Sequence, residues 1–130
     1  MSPERYAHLA LRVGVSFAFL YPAIAAITDP DSWLGYFPQW IFSFIAIDPL
    51  LILHGFGIIE AVIALWILSG RHIRIPAALA AFLLLAIIAF NWSGLDVLFR
   101  DFSIACMALA LALWPQARAS EWRAPPQAPL

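Results

Sequence analysis

Apolar and polar positions follow one another along the chain in blocks that predict four membrane-spanning helices. Each of four apolar segments comes close to the ~20 residues that an α-helix needs to cross ~30 Å of hydrocarbon. Polar clusters, prolines and glycines separate these segments, which cover about residues 7–27, 50–69, 76–92 and 97–114. We therefore predict an all-α integral membrane protein, in which residues 1–115 form a bundle of four transmembrane helices. The proline-rich tail, residues 116–130, is predicted to be a disordered cytoplasmic segment.

Helix boundary signals flank the second and third segments. Asp48 stands directly before Pro49, where an aspartate can cap the first amides and proline suits the first helical position. Gly70 follows the last apolar residue and is expected to end this helix. Pro76 is expected to open the third span as Pro49 opens the second. The first segment also has the pattern of a cleavable signal peptide, but we expect it to be retained as a span.

The positions of the arginines predict how the bundle is oriented. Six of the seven cluster before or early in the first span, between the second and third spans, and after the fourth, at Arg5, Arg12, Arg71, Arg74, Arg118 and Arg123. The loop 28–49 has three aspartates and no arginine. The positive-inside rule then places both termini in the cytoplasm and this loop outside. Its apolar stretch 40–47 is too short to cross, and we expect it to lie in the outer interface or to cap the bundle.

Composition supports this interpretation and excludes several other classes. Of the 130 residues 64% are apolar and only 12% are charged, which is more apolar surface than a soluble domain of this size can bury. A formal net charge of −1 gives no reason to expect nucleic acid. The single cysteine excludes a disulfide within the chain. We expect no metal or bis-histidine haem site, because His54 lies at the outer side while His8 and His72 lie at the inner side.

Glu60 is the first candidate for a functional residue. It lies about ten residues from either end of the second span, and hence ~15 Å from each membrane surface. An ionised, unpaired carboxylate is not tolerated there, so the group is either protonated or paired with a cation. Helical spacing puts it on one face with Gly57, Ala61 and Ala64, which we expect to face the bundle interior. It could relay protons or anchor a ligand, or it could only form a hydrogen bond that stabilises helix packing.

Further polar residues are predicted to share the outer half of the bundle with Glu60, namely His54, Asn91, Arg100 and Asp101. Arg100 and Asp101 are adjacent and should point ~100° apart, so we expect each to have a partner of its own. Asp101 shares a helix face with Ala105, which points it inward. Its alternative role is to anchor the start of the fourth helix.

Three additional residues are weaker candidates for the same site. Arg12 leans toward the cytoplasm and could contact either the site or lipid headgroups. Trp33 and Trp40, with Tyr36 and Phe37 between them, could roof a cavity for a lipid-soluble ligand. The same aromatic cluster is also typical of an interfacial belt.

Three short motifs carry a resemblance to a known family: Arg12-Val13-Gly14, Gly57-Ile58-Ile59-Glu60 and Phe99-Arg100-Asp101. Over about residues 8–114 the chain resembles the DoxX/DoxD-like family of small four-helix membrane proteins. The resemblance implies a multi-pass protein of the bacterial inner (cytoplasmic) membrane that is associated with redox systems. One branch of the family is a subunit of a thiosulfate:quinone oxidoreductase, and other members are linked to oxidative-stress complexes.

The leading functional hypothesis is therefore a membrane subunit of a quinone-linked redox assembly. It would bind quinone, with no covalent cofactor, in an outer-half cavity around Glu60, and it would not be catalytic alone because electrons must come from a partner. The expected partners are the lipid bilayer and a larger membrane complex or further copies of the chain. Two alternatives remain: a structural or assembly subunit without chemistry of its own, and a small proton-coupled exporter.

Overall fold

The computed structural model describes residues 2–115, without the side chains of residues 95–97. This part of the chain forms six α-helices and one short 3-10 turn, Trp92–Gly94. The helices are α1 (Pro3–Thr28), α2 (Pro30–Leu34), α3 (Gln39–Phe44), α4 (Pro49–Ser69), α5 (Arg74–Phe90) and α6 (Leu95–Leu113). The tail 116–130, for which disorder is predicted, lies outside the described residues. The all-α class is confirmed.

The four long helices pack as two pairs that join into one bundle. Helix α1 packs mainly along α4, and α5 packs mainly along α6. Smaller contacts between α1 and α6 and between α4 and α5 connect the pairs. The short helix α2 contacts α1 and α4 at one end. The predicted first segment is thus an integral part of the helix bundle.

The loop between α1 and α4 folds over one end of this bundle. Phe37 packs edge-on against Phe56 of α4, with ring centroids 5.5 Å apart. Trp40 of α3 lies with its ring 5.7 Å from that of Phe90, at the end of α5. The apolar stretch 40–47 is therefore partly helical, and its Trp40 lies against the end of α5, one of the helix ends that the stretch was expected to cap.

The boundary signals of α4 act as predicted. The Asp48 carboxylate accepts a hydrogen bond from the Leu50 amide at 2.9 Å, and Pro49 occupies the first helical position. Gly70 ends the helix with φ +76°, a left-handed conformation that glycine adopts without steric cost.

Two other boundaries differ from the prediction. Helix α5 begins at Arg74 and ends at Phe90, so Pro76 lies in its first turn instead of opening it. Proline is tolerated there because the first amides of a helix have no intrahelical partner. Helix α6 begins at Leu95, two residues early, which puts Arg100 and Asp101 in its second turn.

Small side chains allow the helices to approach closely at the other end of the bundle. The fully buried residues of this region include Ala64 in α4, Ala77 and Ala80 in α5, and Ala108 in α6. Ser16 of α1 is also buried, and its hydroxyl donates a hydrogen bond to the Ala64 carbonyl at 3.0 Å. Ala64, on the face of the second span that was predicted to point inward, and Ala105 of the fourth span are therefore buried in the interior.

The Arg12 side chain, in the third turn of α1, connects this helix to the end of α4 by hydrogen bonds. Its Nε donates to the Ile67 carbonyl at 3.1 Å, and its Nη2 donates to the Leu68 carbonyl. Both carbonyls belong to the last turn of α4, and that of Ile67 also accepts a hydrogen bond from the Gly70 amide at 3.2 Å. A side chain on Gly70 would lie 2.9 Å from Nη2, so the glycine also leaves room for the guanidinium. This interaction favours a structural role for Arg12.

Replacing Arg12 with leucine should lower the stability of the bundle. The substitution removes two charge-assisted hydrogen bonds that join α1 to the end of α4, a loss of about 1.5–3 kcal/mol. We expect the midpoint of thermal unfolding in detergent to fall by about 5 °C or more. Arg71→Leu, at an exposed position just after α4, is the matched control. Equal midpoints for the two variants would contradict the structural role of Arg12.

Candidate functional site

A cavity of about 420 Å³ occupies the end of the bundle that is covered by the loop between α1 and α4. Its walls come from α1, α4, α5, α6 and that loop. Phe19, Leu84 and Ile104 line its floor, where they join the packed core of the opposite end. Four side chains with a charged or amide group line the wall: Glu60, Asn91, Arg100 and Asp101. The structure thus brings together four of the five residues predicted for the outer-half site.

Glu60 lies near the middle of α4 and is partly buried in the cavity wall. Phe56 and Gly57, one turn earlier on the same face, also line the cavity. Among the described residues, no group donates a hydrogen bond to the Glu60 carboxyl group. The Asp101 carboxyl group is close enough to interact with it electrostatically. The cavity therefore holds two acidic groups that face a common space.

Arg100 and Asp101 form an ion pair with each other, with 3.8 Å between Nε and Oδ1. The expectation that each has a separate partner is therefore wrong for this pair. The two Cα–Cβ bonds diverge, but the arginine stem is long enough to bend back toward its neighbour. The Asp101 side chain is only 16% exposed, while that of Arg100 is 64% exposed. Asp101 thus lies inside the cavity and Arg100 at its mouth.

Asn91 caps the end of α5 at the cavity wall. Its Nδ2 donates a hydrogen bond to the Ile87 carbonyl at 3.0 Å, one turn earlier in the helix. The same carbonyl also accepts a hydrogen bond from the Asn91 backbone amide at 3.0 Å, so the side-chain bond serves to fix the amide group. The amide oxygen has no donor among the described residues, so it can accept a hydrogen bond from a ligand.

Aromatic rings form much of the remaining wall. The helices contribute Phe17, Phe19, Tyr21, Phe56 and Phe90, and the loop contributes Trp33, Tyr36 and Phe37. Trp33 and Tyr36 contact each other, with ring centroids 5.6 Å apart. The prediction that part of the loop roofs a cavity agrees with these positions, and Trp33 lies where it was expected.

Three predicted residues lie outside the cavity. His54 is exposed on α4, since six residues of helix turn it ~120° away from Glu60. Trp40 is exposed and does not line the cavity; its ring packs against Phe90, which does. Arg12 binds the opposite end of α4. The expected set is therefore corrected by removing His54, Trp40 and Arg12.

The sequence interpretation missed the aromatic residues that the long helices contribute. Phe56 precedes Glu60 by four residues, so helical spacing alone places it on the same face. Phe17 and Tyr21 are also four apart, and their rings lie 6.0 Å from each other at the edge of the cavity. The four-residue spacing predicts that the two side chains of each pair share a helix face. It does not predict which neighbouring helix that face contacts.

The site combines an apolar, ring-lined space with groups that can exchange protons and donate hydrogen bonds. Glu60 and Asp101 can accept or release a proton, and Arg100 can donate hydrogen bonds at the mouth. Among the described residues no group of three or more His, Cys, Asp or Glu side chains is placed to share a metal ion. The arrangement suits a ligand that has a planar or apolar body and a polar head.

Hydropathy and a family comparison agree on the class of protein. Helices α1 and α4 are long and apolar enough to cross a membrane, and α5 is a shorter apolar helix of 17 residues. No curated protein and no solved structure gives a significant match. The DoxX family model matches residues 7–92, about two thirds of the chain. The apolar helices and this match indicate a membrane protein, and the chain belongs to the DoxX family.

Proposed function

We propose that the chain is a four-span subunit of a quinone-linked redox assembly in the bacterial inner membrane. In this proposal the cavity binds the quinone head, and a partner subunit exchanges electrons with it. The termini lie in the cytoplasm, so the cavity is in the outer half of the bilayer. The chain is not catalytic by itself, because its own residues supply binding and proton exchange only.

The packing of the bundle supports four spans. Helix α5 has 17 residues, which is at the short end of the range for a membrane-spanning helix. It packs along α6, and this pair contacts α1 and α4. Because α5 and α6 pack along the two apolar helices α1 and α4, we expect all four helices to lie at the same depth in the bilayer. Two charged residues near the start of α6, Arg100 and Asp101, line the cavity instead of facing lipid throughout.

The observation that carries the proposal is the ring-lined cavity with two acidic groups in its wall. Its volume, about 420 Å³, lies within the range of roughly 300–1,000 Å³ that is typical of small-molecule sites. Reduction of a quinone to a quinol takes up two protons as well as two electrons. Glu60, which has no cation beside it among the described residues, is placed to pass on those protons, and Arg100 and Asn91 to hold the oxygen atoms of the head.

The topology can be tested with single cysteines. In a Cys106→Ala background, a cysteine in place of Ser43 should react with a membrane-impermeant maleimide in intact spheroplasts. A cysteine in place of Ser2 should react only after the membrane is opened, because the positive-inside rule keeps the N-terminus in the cytoplasm. Labelling of Ser2→Cys in intact spheroplasts would reverse the orientation and move the cavity to the inner half.

Glu60→Gln should weaken the binding of a short-chain ubiquinone analogue to the purified protein. Glutamine keeps the shape of the side chain but cannot exchange a proton with the ligand. We expect an increase in Kd of about 10-fold or more in a calorimetric titration, since hydrogen bonds to charged groups contribute ~1.5–3 kcal/mol. Asp31→Asn, an exposed acid of α2, is the control. Unchanged affinity in Glu60→Gln would remove this residue from the site.

Filling the cavity should abolish binding without disturbing the fold. Ala86 of α5 lines the cavity, and a phenylalanine there would occupy the space that the ligand needs. Ala89→Phe adds the same ring on the exposed face of the same helix and should bind the quinone analogue as the original protein does. We expect similar unfolding midpoints and a loss of binding in Ala86→Phe alone. Equal affinity in both variants would show that the ligand binds elsewhere.

A further inference from the structure

We infer that the same cavity takes a hydrophobic organic cation whose positive charge is spread over aromatic rings. This inference uses the cavity of the proposed function, but it does not depend on quinone being the physiological ligand. It rests on the charges of the lining, on the rings around them and on the position of the mouth.

The charges of the cavity wall leave one acid without a cationic partner. The lining contains two carboxyl groups, Glu60 and Asp101, and one side chain with a fixed positive charge, Arg100. Arg100 pairs with Asp101. The carboxyl group of Glu60 has no cation beside it among the described residues and interacts only with the like group of Asp101. In an apolar setting either a proton or a cation must neutralise this group, and a cationic ligand can replace the proton.

Aromatic faces around the acids would stabilise the same kind of ligand. A cation over the face of a tryptophan, tyrosine or phenylalanine ring is attracted by the ring quadrupole, and the attraction is strongest where water is excluded. Phe56 lies one turn from Glu60, and Trp33 and Tyr36 face the cavity from the loop. Rings together with an unpaired carboxyl group favour a delocalised cation over an anion, which both acids would repel.

The mouth of the cavity is placed to admit a ligand from the bilayer. On α1 the lining residues Phe17 and Tyr21 are 66% and 59% exposed, and on α6 the Arg100 side chain is 64% exposed. Helices α1 and α6 contact each other less extensively than the members of either main pair. The exposed part of the lining thus lies along the side of the bundle, where a hydrophobic cation dissolved in the membrane would meet it.

A pair of ligands with the same shape separates the effect of charge from that of apolar fit. Methyltriphenylphosphonium carries one delocalised positive charge, and triphenylphosphine oxide has a similar body and no net charge. Both are titrated calorimetrically into the purified full-length protein. We expect the cation to bind at least about 10-fold more tightly than the oxide, because only the cation pairs with Glu60.

Substitutions then identify the group that recognises the charge. Glu60→Gln should weaken binding of the cation by about 10-fold or more and leave binding of the oxide within about 2-fold. Asp31→Asn should change neither affinity. The comparison of the two ligands on the unmodified protein remains informative if Glu60→Gln does not fold. Equal affinities for the two ligands, or cation binding that Glu60→Gln leaves unchanged, would overturn the inference.

Competition between ligands separates this inference from the proposed function. If both are correct, methyltriphenylphosphonium displaces the ubiquinone analogue in proportion to its own affinity. Binding of the quinone analogue without binding of the cation overturns the inference and leaves the proposed function standing. Binding of the cation without binding of the quinone analogue overturns the proposed function and leaves the inference standing.

Discussion

A carboxyl group halfway along an apolar helix is unfavourable in contact with hydrocarbon. In this bundle the helices surround that group, Glu60, with a cavity at one end. Glu60 lines a cavity whose wall also contains two charged side chains of α6, Asp101 and Arg100, which form an ion pair. A charged group facing lipid at this depth would be costly by several kcal/mol. Turning α4 so that Glu60 faces inward also turns Gly57 and Ala64 inward, and this sets the packing of α4 against α1.

The two ends of the bundle use side chains of different size, and this difference creates the cavity. Where α4 ends and α5 begins, alanines and Ser16 let the helices approach closely, and Arg12 fastens α1 to α4. At the other end the positions that line the cavity hold large rings, such as Phe56 and Phe90. Small residues thus bring the helices together at one end, while aromatic residues surround a space at the other.

Features set by a single helix were predictable from the sequence, but contacts between helices were less so. The cap at Asp48, the end at Gly70 and the inward direction of Glu60 follow from local chemistry and helical period. His54 was predicted for the site because it lies at a similar height to the other polar residues. Six residues along α4 from Glu60, however, its side chain points to a different side of the helix and does not line the cavity. The Arg100–Asp101 pair was missed because the period predicts where a Cβ points, not where a long flexible stem ends. Contacts such as that of Arg12 depend on which helices are neighbours.

The size of the cavity itself bears on the choice between a binding protein and a purely structural subunit. At ~24 cal/mol per Å³ of void, an enclosed space of about 420 Å³ that stayed empty would cost about 10 kcal/mol. This is as large as the whole stability of a typical domain, roughly 5–15 kcal/mol. The cavity here has a mouth beside the exposed Arg100 side chain, so lipid or a ligand can enter and fill it. A subunit that served packing alone would gain by closing this space, as small side chains do at the opposite end of the bundle, so the open space supports the proposed role in binding.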